Sequence, residues 1–222
     1  MIIGFTGQSR SGKNTAAQAL EGYTQVAFAD ALRYVVEEAL LVEVTETNKE
    51  QPGHWLKGAI EKSLDESKGV SNPKDWIAYD LLVSLECAYS EYRYCELSHA
   101  AIQALGTLLQ ESSARTLTPR RILQVVGTDI FRAWDSECWV KALDAQIVHL
   151  DNVVVTDVRF PNEVDYIHKR GGIVIRIVRP DTDKPAPEHV SEDVGALQVD
   201  HEIYNTDTVK GLRHKVRQLN IS

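Results

Sequence analysis

The sequence MIIGFTGQSRSGKNTAAQAL, residues 1–20, decides the fold of this chain. An apolar run predicts a β-strand, a loop bounded by Gly7 and Gly12 follows it, and good helix formers come next. In this context a G-x-x-x-x-G-K pattern indicates a phosphate-binding loop. Backbone N–H groups would surround the anion, the helix dipole would add positive charge, and Lys13 would reach the β- and γ-phosphates.

The residue after Lys13 departs from the usual pattern, which has Ser or Thr in that position to bind Mg²⁺. Asn14 stands there instead, and Thr15 follows. Asn14 could serve the metal through its amide oxygen, directly or through water, because Mg²⁺ keeps several waters readily. A turn rich in Gly and Ser is the alternative, but it does not explain a lysine at a helix start, where the dipole disfavours cations. We therefore expect a nucleoside triphosphate site.

Length and composition indicate one α/β domain, or a domain with an inserted subdomain, because 222 residues with 43% hydrophobic content are ordinary for a globular protein. No apolar run approaches the ~20 residues of a membrane span, and no signal peptide pattern is present. Three cysteines without a C-x-x-C pair indicate neither disulfides nor zinc. We expect a cytoplasmic protein. The net charge of −8 disfavours a polynucleotide surface, although a local basic pocket can still bind a small anion.

Alternation of apolar runs with helical patterns predicts a doubly wound parallel sheet of the α/β class. The expected strands are residues 2–5, 25–29, 153–157, 173–178 and 203–204. The expected helices are one capped by Asp30, those at 76–88 and 97–109, one from Thr118 that stops near 127–129, one capped by Ser136, and those at 161–170 and 209–219. Residues 45–115 are interpreted as a helical insertion within a single domain of residues 1–222. Residues 180–199, polar and with three prolines, are interpreted as a lid loop.

Two further segments carry side chains suited to phosphoryl transfer, which needs cations and groups that orient an acceptor. Arg120 and Arg121 open a helix, where they oppose the dipole unless an anion compensates, and a solvated basic surface is the alternative. Asp157 ends a strand, where open α/β sheets bind ligands. Asp157 and Glu163 could hold sugar hydroxyls or Mg²⁺-bound water, and Arg159 could bridge phosphates, with a structural Asp–Arg pair as the alternative.

In their order and spacing, these stretches resemble the bacteriophage-type deoxynucleoside monophosphate kinases of the P-loop nucleoside monophosphate kinase superfamily. The matching motifs are SGKNT from Ser11, FADALR from Phe28, RRILQVVGTD from Arg120, WVK from Trp139, DVRFPNE from Asp157, VRP from Val178, HVSE from His189 and I-x-N at 203–205. The resemblance implies a P-loop kinase fold and transfer of the γ-phosphoryl group of ATP to a deoxynucleoside 5′-monophosphate with Mg²⁺. It also implies no membrane or polynucleotide partner, a host cytoplasm if a phage encodes the chain, and a homodimer as one candidate assembly.

The resemblance also assigns residues by matched position. ATP would be held by Gly7, Arg10, Ser11, Gly12, Lys13, Asn14 and Thr15, with Mg²⁺ near the last two. The monophosphate would be surrounded by Leu32, Arg33, Arg121, Gly127, Thr128, Trp139, Asp157, Arg159 and Glu163. Lys13, Arg121, Arg159 and Asp157 would form the catalytic set, and no general base is needed because the acceptor phosphate is already a nucleophile. The family has another arginine within 45–115, for which Arg93 and Arg115 are the candidates.

Two alternatives stay open. A dephospho-coenzyme A kinase would use Asp157 as a base on a sugar hydroxyl, but the double arginine followed by G-T-D favours a phosphate acceptor. A non-catalytic nucleotide-binding regulator of the GTPase type would need an N-K-x-D motif. The N-K at Asn48 is followed by Glu50 and Gln51, without the aspartate.

Overall fold

A computed structural model describes residues 1–45, 47–66, 73–90, 99–180, 194–206 and 208–219. The chain divides into two compact units, one of residues 1–29 with 140–222 and one of residues 30–139. Most of the expected lid loop, with His189, Ser191 and Glu192, lies outside the described residues, and so does Arg93. The second unit extends beyond the expected insertion 45–115 at both ends, and the single-domain interpretation stays a prediction.

The first unit is built on a five-stranded sheet in the order β2-β3-β1-β4-β5. All pairs of neighbouring strands are parallel, which confirms the predicted fold class. Ile3 in the central strand faces Val154 on one side and Ile173 on the other. The strands are β1 (Ile2–Thr6), β2 (Thr24–Val26), β3 (Val153–Val155), β4 (Ile173–Val178) and β5 (His201–Tyr204).

The helices were largely predicted in position, although α3 and the π-helix were not. They are α1 (Lys13–Ala17), α2 (Ala29–Leu40), α3 (Lys57–Glu66), α4 (Pro73–Ser90), α5 (His99–Ser113), α6 (Pro119–Gln124), a π-helix (Val125–Arg132), α7 (Cys138–Ile147), α8 (Pro161–Lys169) and α9 (Val209–Gln218). Across the described parts of the chain, none of them is both long and apolar enough to cross a membrane.

Alternate residues of the strands enter two apolar clusters, one on each face of the sheet. On one face, Ile2 and its neighbours pack with residues of α7 and α8, such as Leu143 and Ile167. On the other face, Phe5 and its neighbours pack with residues of α1 and α9, such as Leu212. Helices therefore cover both faces, as a doubly wound sheet requires.

The second unit has its own core, made by the apolar faces of its helices. Thr118 begins α6 as predicted, because its hydroxyl accepts the Arg121 N–H and Pro119 occupies the first turn. Tyr89 is buried and its ring lies 4.7 Å from that of Phe131, centroid to centroid, so it is a packing residue.

Several predicted boundaries were wrong. The second strand ends at Val26 rather than at residue 29, and Asp30 lies inside the first turn of α2 rather than before it. The helix from Thr118 does not stop near 127–129 but continues as the π-helix. Before α7, which begins at Cys138, the N–H of Glu137 donates to Oδ1 of Asp135 at 2.9 Å, and the cap at Ser136 stays a prediction. Contacts distant in sequence explain the ends of β2 and of the helix from Thr118 and the start of α2, as described below.

Candidate functional site

The phosphate loop, residues 7–13, has the backbone that its two glycines permit. Gly7 and Gly12 have φ angles of +135° and +109°, which side chains other than hydrogen disfavour. A Cβ on Gly7 would lie 2.4 Å from the carbonyl oxygen of Ile177, and one on Gly12 would lie 2.7 Å from Nδ2 of Asn205. Arg10 also has a positive φ, +62°, which is uncommon outside glycine. The glycines of the motif are therefore required by both conformation and space.

Lys13 closes this loop on itself. Its Nζ donates to the carbonyl oxygens of Gly7, at 2.7 Å, and Gln8, at 2.8 Å. The helix that Lys13 begins has only five residues, so few peptide dipoles add along it. The expected contribution of a helix dipole is therefore small, and the loop N–H groups and the lysine ammonium must supply the attraction for an anion.

Buried hydroxyl groups beside the loop fit a polar ligand. Ser11 and Thr6 are almost completely buried, and within the described structure their Oγ and Oγ1 atoms have no hydrogen-bond partner. Buried polar atoms are normally satisfied, so such atoms in or directly before a loop that also has a lysine ammonium and two glycines suit a bound phosphate group.

The side chains at the end of the loop could bind Mg²⁺ only together with waters and phosphate oxygens, as kinases commonly do. Among the described residues there is no group of three or more His, Cys, Asp or Glu side chains that could hold a metal ion. Mg²⁺ usually keeps several waters and takes phosphate oxygens with one or two protein ligands, so a dedicated cage is not needed. Asn14 is exposed and Thr15 half-buried at the end of the loop.

Asp157 connects the ends of two strands. Its two carboxylate oxygens accept the N–H groups of Phe28, at 2.7 Å, and Ala29, at 2.9 Å. These bonds explain the wrong boundaries of β2 and α2, because a carboxylate 128 residues away in sequence caps the start of α2. Asp157 thus has a structural task, and its contact with a sugar or a base stays a prediction.

Glu163 also bonds backbone. It is only 1% exposed, and its Oε2 accepts the N–H groups of Arg159, at 2.7 Å, and Phe160, at 3.2 Å. With Pro161 in the first turn of α8, this arrangement fixes the start of that helix. Glu163 therefore orients the backbone at Arg159, whose side chain is the better candidate for a phosphate contact.

Three of the predicted acceptor residues lie together in the second unit. A Cβ on Gly127 would lie 2.6 Å from Cδ2 of Leu32, and Nε1 of Trp139 donates to the Gly127 carbonyl oxygen at 2.9 Å. Trp139 is 2% exposed and packs on Phe131 with ring centroids 5.3 Å apart. The contacts of Leu32 and Trp139 hold the π-helix at Gly127, and half-buried Thr128 follows directly.

The arginines predicted to bind phosphate have carboxylate neighbours in the same unit. Arg33 lies 3.9 Å from Asp30, and Nε of Arg121 lies 3.4 Å from Glu111. Arg120 has the shorter pair, 2.6 Å to Glu50. Acidic side chains of the chain itself therefore offset the arginines at the start of α6.

Two interactions involve residues to which the sequence assigned no settled role. Nδ2 of Asn205 donates to the Ser11 carbonyl oxygen at 2.8 Å. Nε of Arg115, a candidate for the additional family arginine, donates to Nε2 of His54 at 2.7 Å. An asparagine directly after a predicted strand was the one local signal for the first contact. Nothing near Arg115 indicated the second.

Tyr166 and Asp200, among the described residues of the first unit, have shifted pKa values. Burial, a hydrogen bond to Asp144 and the charge of that carboxylate raise the pKa of Tyr166 far above its ordinary value. Burial alone would raise the pKa of Asp200, but the Val174 N–H, the hydrogen bond and charge of His168, and the charge of His201 together lower it.

Comparison with known proteins agrees with the motifs. A family model for deoxynucleotide monophosphate kinase matches residues 72–216, more than half of the chain. A protein of Acanthamoeba polyphaga mimivirus, provisionally named deoxynucleotide monophosphate kinase, is 37% identical over 78 residues, which cover 28% of this chain and 40% of that relative. The chain thus matches less than half of the length of this curated relative. The extent of the family match shows that the chain belongs to the deoxynucleotide monophosphate kinase family, as its ordered motifs predict.

Proposed function

We propose that this protein transfers the γ-phosphoryl group of ATP to a deoxynucleoside 5′-monophosphate, giving the diphosphate and ADP. The observation that carries the proposal is the phosphate loop with Lys13 at its end, in a chain that belongs to this family. The loop lies before residue 72, where the family match begins, so its geometry supports the proposal independently.

The donor is assigned to the phosphate loop with Asn14 and Thr15. The N–H groups of Gly12 and Lys13 and the ammonium of Lys13 bind the phosphates, and Arg10 adds charge beside them. The N–H of Ser11 donates to the Gln8 carbonyl oxygen at 3.2 Å and shapes the loop. Bound Mg²⁺ would offset negative charge on the β- and γ-phosphates. Lys13 must exchange its bonds to two loop carbonyls for bonds to phosphate, which favours the charged partner because charge-assisted bonds are the stronger.

The acceptor is assigned to Arg33, Arg121 and Arg159, with Leu32, Gly127, Thr128, Trp139, Asp157 and Glu163 shaping their surroundings. The pairs that Arg33 and Arg121 make are long and partly exposed, and such pairs are worth about 0–1 kcal/mol. A hydrogen bond to a charged group is worth about 1.5–3 kcal/mol, so both arginines can leave their carboxylates for a phosphate. Arg120, with its shorter pair, is the weaker candidate.

Positioning and charge stabilisation then account for the reaction. The acceptor phosphate needs no base, so Lys13, Arg121 and Arg159 would stabilise the charge of the transferred group. Asp157 would contribute by holding the backbone of Phe28 and Ala29. The proposed setting is a cytoplasm, the host's if a phage encodes the chain, with free nucleotides rather than a polynucleotide, in a monomer or a homodimer.

The test is an ADP-release assay with ATP, Mg²⁺ and each of the deoxy- and ribonucleoside monophosphates, with dephospho-coenzyme A as a further acceptor. We expect release to depend on a deoxynucleoside monophosphate. Release with dephospho-coenzyme A alone would reassign the chain to that kinase class. ATP binding without release for any acceptor would instead identify a nucleotide-binding regulator.

A further inference from the structure

Asn205 joins the end of β5 to the phosphate loop. Its backbone N–H donates to the carbonyl oxygen of Val178 at 2.7 Å, which fixes the residue at the end of β4. Its side-chain Nδ2 donates to the carbonyl oxygen of Ser11 at 2.8 Å. Asn205 thus connects the sheet with a residue 194 positions earlier in the sequence.

The contact depends on the missing side chain of the next loop residue. A Cβ on Gly12 would lie 2.7 Å from Nδ2 of Asn205 and 3.0 Å from Cδ2 of Leu212. The asparagine amide and the leucine therefore fill the space beside the peptide that joins Ser11 to Gly12. No other residue type at position 12 leaves room for both neighbours.

Holding the Ser11 carbonyl also sets the direction of an N–H group. A peptide unit is planar, and in the trans form its C=O and N–H bonds point in opposite directions. The carbonyl of Ser11 points at Asn205, so the N–H of Gly12 points away from Asn205. In a phosphate loop, backbone N–H groups in the position of the Gly12 N–H bind the anion.

We infer that Asn205 is a positioning residue for the phosphoryl donor, which holds the Ser11–Gly12 peptide with its N–H directed at the bound phosphates. This inference rests on the proposed function of the loop. It assigns to Asn205 an effect on phosphate affinity without any contact with the nucleotide base or with the acceptor.

Lys215 offers a matched control, because it binds the backbone of Tyr204, one residue before Asn205. Nζ of Lys215 donates to the carbonyl oxygen of Tyr204 at 2.9 Å, so it also connects α9 with the end of β5 by one bond from a side chain to backbone. Because this bond does not reach the loop, Lys215→Met reports the cost of removing a support at the end of β5 that lies outside the loop.

The experiment measures the affinity of the full chain for ATP and for inorganic tripolyphosphate by calorimetry, in wild type, Asn205→Ala and Lys215→Met. We expect Asn205→Ala to lower the affinity for both ligands about tenfold, which is the size of one lost hydrogen bond. The KM for the monophosphate should stay unchanged. Lys215→Met should bind both ligands as wild type does.

Each other outcome has a distinct meaning. Equal affinities in wild type and Asn205→Ala overturn the inference. Weakening for ATP alone indicates a base contact, and equal weakening in Lys215→Met indicates a general loosening, and either also overturns it. A wild-type chain that binds neither ligand overturns the proposed function itself. If Asn205→Ala does not fold, NMR of the wild type decides, because the side-chain amide protons of Asn205 must show an NOE to the α-protons of Gly12, and its absence overturns the inference.

Discussion

The phosphate loop and the π-helix each place a side chain against a glycine, but the chemistry of the two contacts differs. At Gly12 the neighbour is the Asn205 amide, and the φ of +109° is one that other residues avoid. At Gly127 the neighbour is the methyl group of Leu32, and the backbone is helical. The first glycine lets polar atoms fix the direction of peptide groups. The second lets an apolar side chain cover the backbone.

Because the two glycine contacts differ in chemistry, substitutions at the loop and at the π-helix should have different effects, one on ligand affinity and the other on packing. At the loop a substitution changes the directions of the groups that bind an anion, so its main effect should be on the donor. At the π-helix a substitution changes how tightly Leu32 and Trp139 pack, so its main effect should be on stability. Short π-helical segments often occur at functional sites, which makes the second region relevant to the acceptor as well.

The largest effect is expected at the loop. Lys13→Ala removes the cation that would stabilise charge on the transferred group, and turnover should fall by about 10²–10³-fold. ADP formation at saturating substrates measures this loss. Lys210→Ala, an exposed lysine of α9, is the control and should retain normal turnover. Near-normal turnover in Lys13→Ala would remove this lysine from the catalytic set.

Arg121→Ala changes α6, the helix that continues into the π-helix, and tests whether this part of the chain contributes to catalysis as well as to packing. Loss of one charge-assisted contact should raise the KM for the monophosphate about tenfold, with a much smaller change in the KM for ATP. Arg120→Ala, which removes the shorter pair to Glu50, serves as the neighbouring control. Equal effects of Arg121→Ala on both substrates would show that this arginine does not select the acceptor.

How far the sequence predicts this structure depends on the range of the interactions. The strand-loop-helix start, the parallel sheet and the cap at Thr118 follow from residues close together in the chain, and the structure confirms them. The glutamate three residues after Phe160, with Pro161 between them, is likewise a local signal for the buried cap that Glu163 makes. The sequence therefore indicates a cap at Glu163 as well as the expected substrate contact, and that contact stays a prediction.

The errors occur where distant residues override local preference. Glycine followed by Thr128 and Asp129 usually ends a helix, but Leu32 and Trp139 pack at Gly127 and the helix continues. Asp157 ends β2 early and caps α2 from far along the chain. Asn205 reaches the loop across an even longer separation. Local patterns do not predict these contacts, because the residues come together only in the folded units.

Gly127→Ala tests whether the contact between Gly127 and Leu32 contributes to stability. The added methyl group must displace Leu32, at a cost of about 1–3 kcal/mol for overpacking. Alanine is favoured over glycine in a helix by about 1 kcal/mol, so we expect a net loss of about 1 kcal/mol in the free energy of unfolding. Urea denaturation measures it. With Leu32→Ala in the background the clash disappears, so there the same substitution should be neutral or stabilising. A penalty that persists in that background would show that Leu32 is not its cause.

The smallest effect is expected at Asp200, a polar residue that supports the start of β5. Oδ2 of Asp200 accepts the Val174 N–H at 2.7 Å and lies 2.9 Å from Nε2 of His168, which ties the start of β5 to β4 and α8. These partners and the charge of His201 lower the pKa of Asp200 in the folded chain against the opposing effect of burial. The ionised form therefore stabilises the fold. This stabilisation is complete above the unfolded pKa, which is about 3.9, and is lost as the pH falls through the lower folded value.

Asp200→Asn should consequently lower the Tm at pH 7, and the difference from wild type should shrink as the pH falls below about 4. Thermal unfolding followed from pH 7 down to about 2.5 measures the difference, with Asp165→Asn on the exposed side of α8 as the control. A difference that stays constant over this range would mean that Asp200 acts through its shape rather than its charge. Since β5 leads directly to Asn205, a charge effect would make the support of the phosphate loop sensitive to acid, whereas the apolar contact at Gly127 contains no group that titrates.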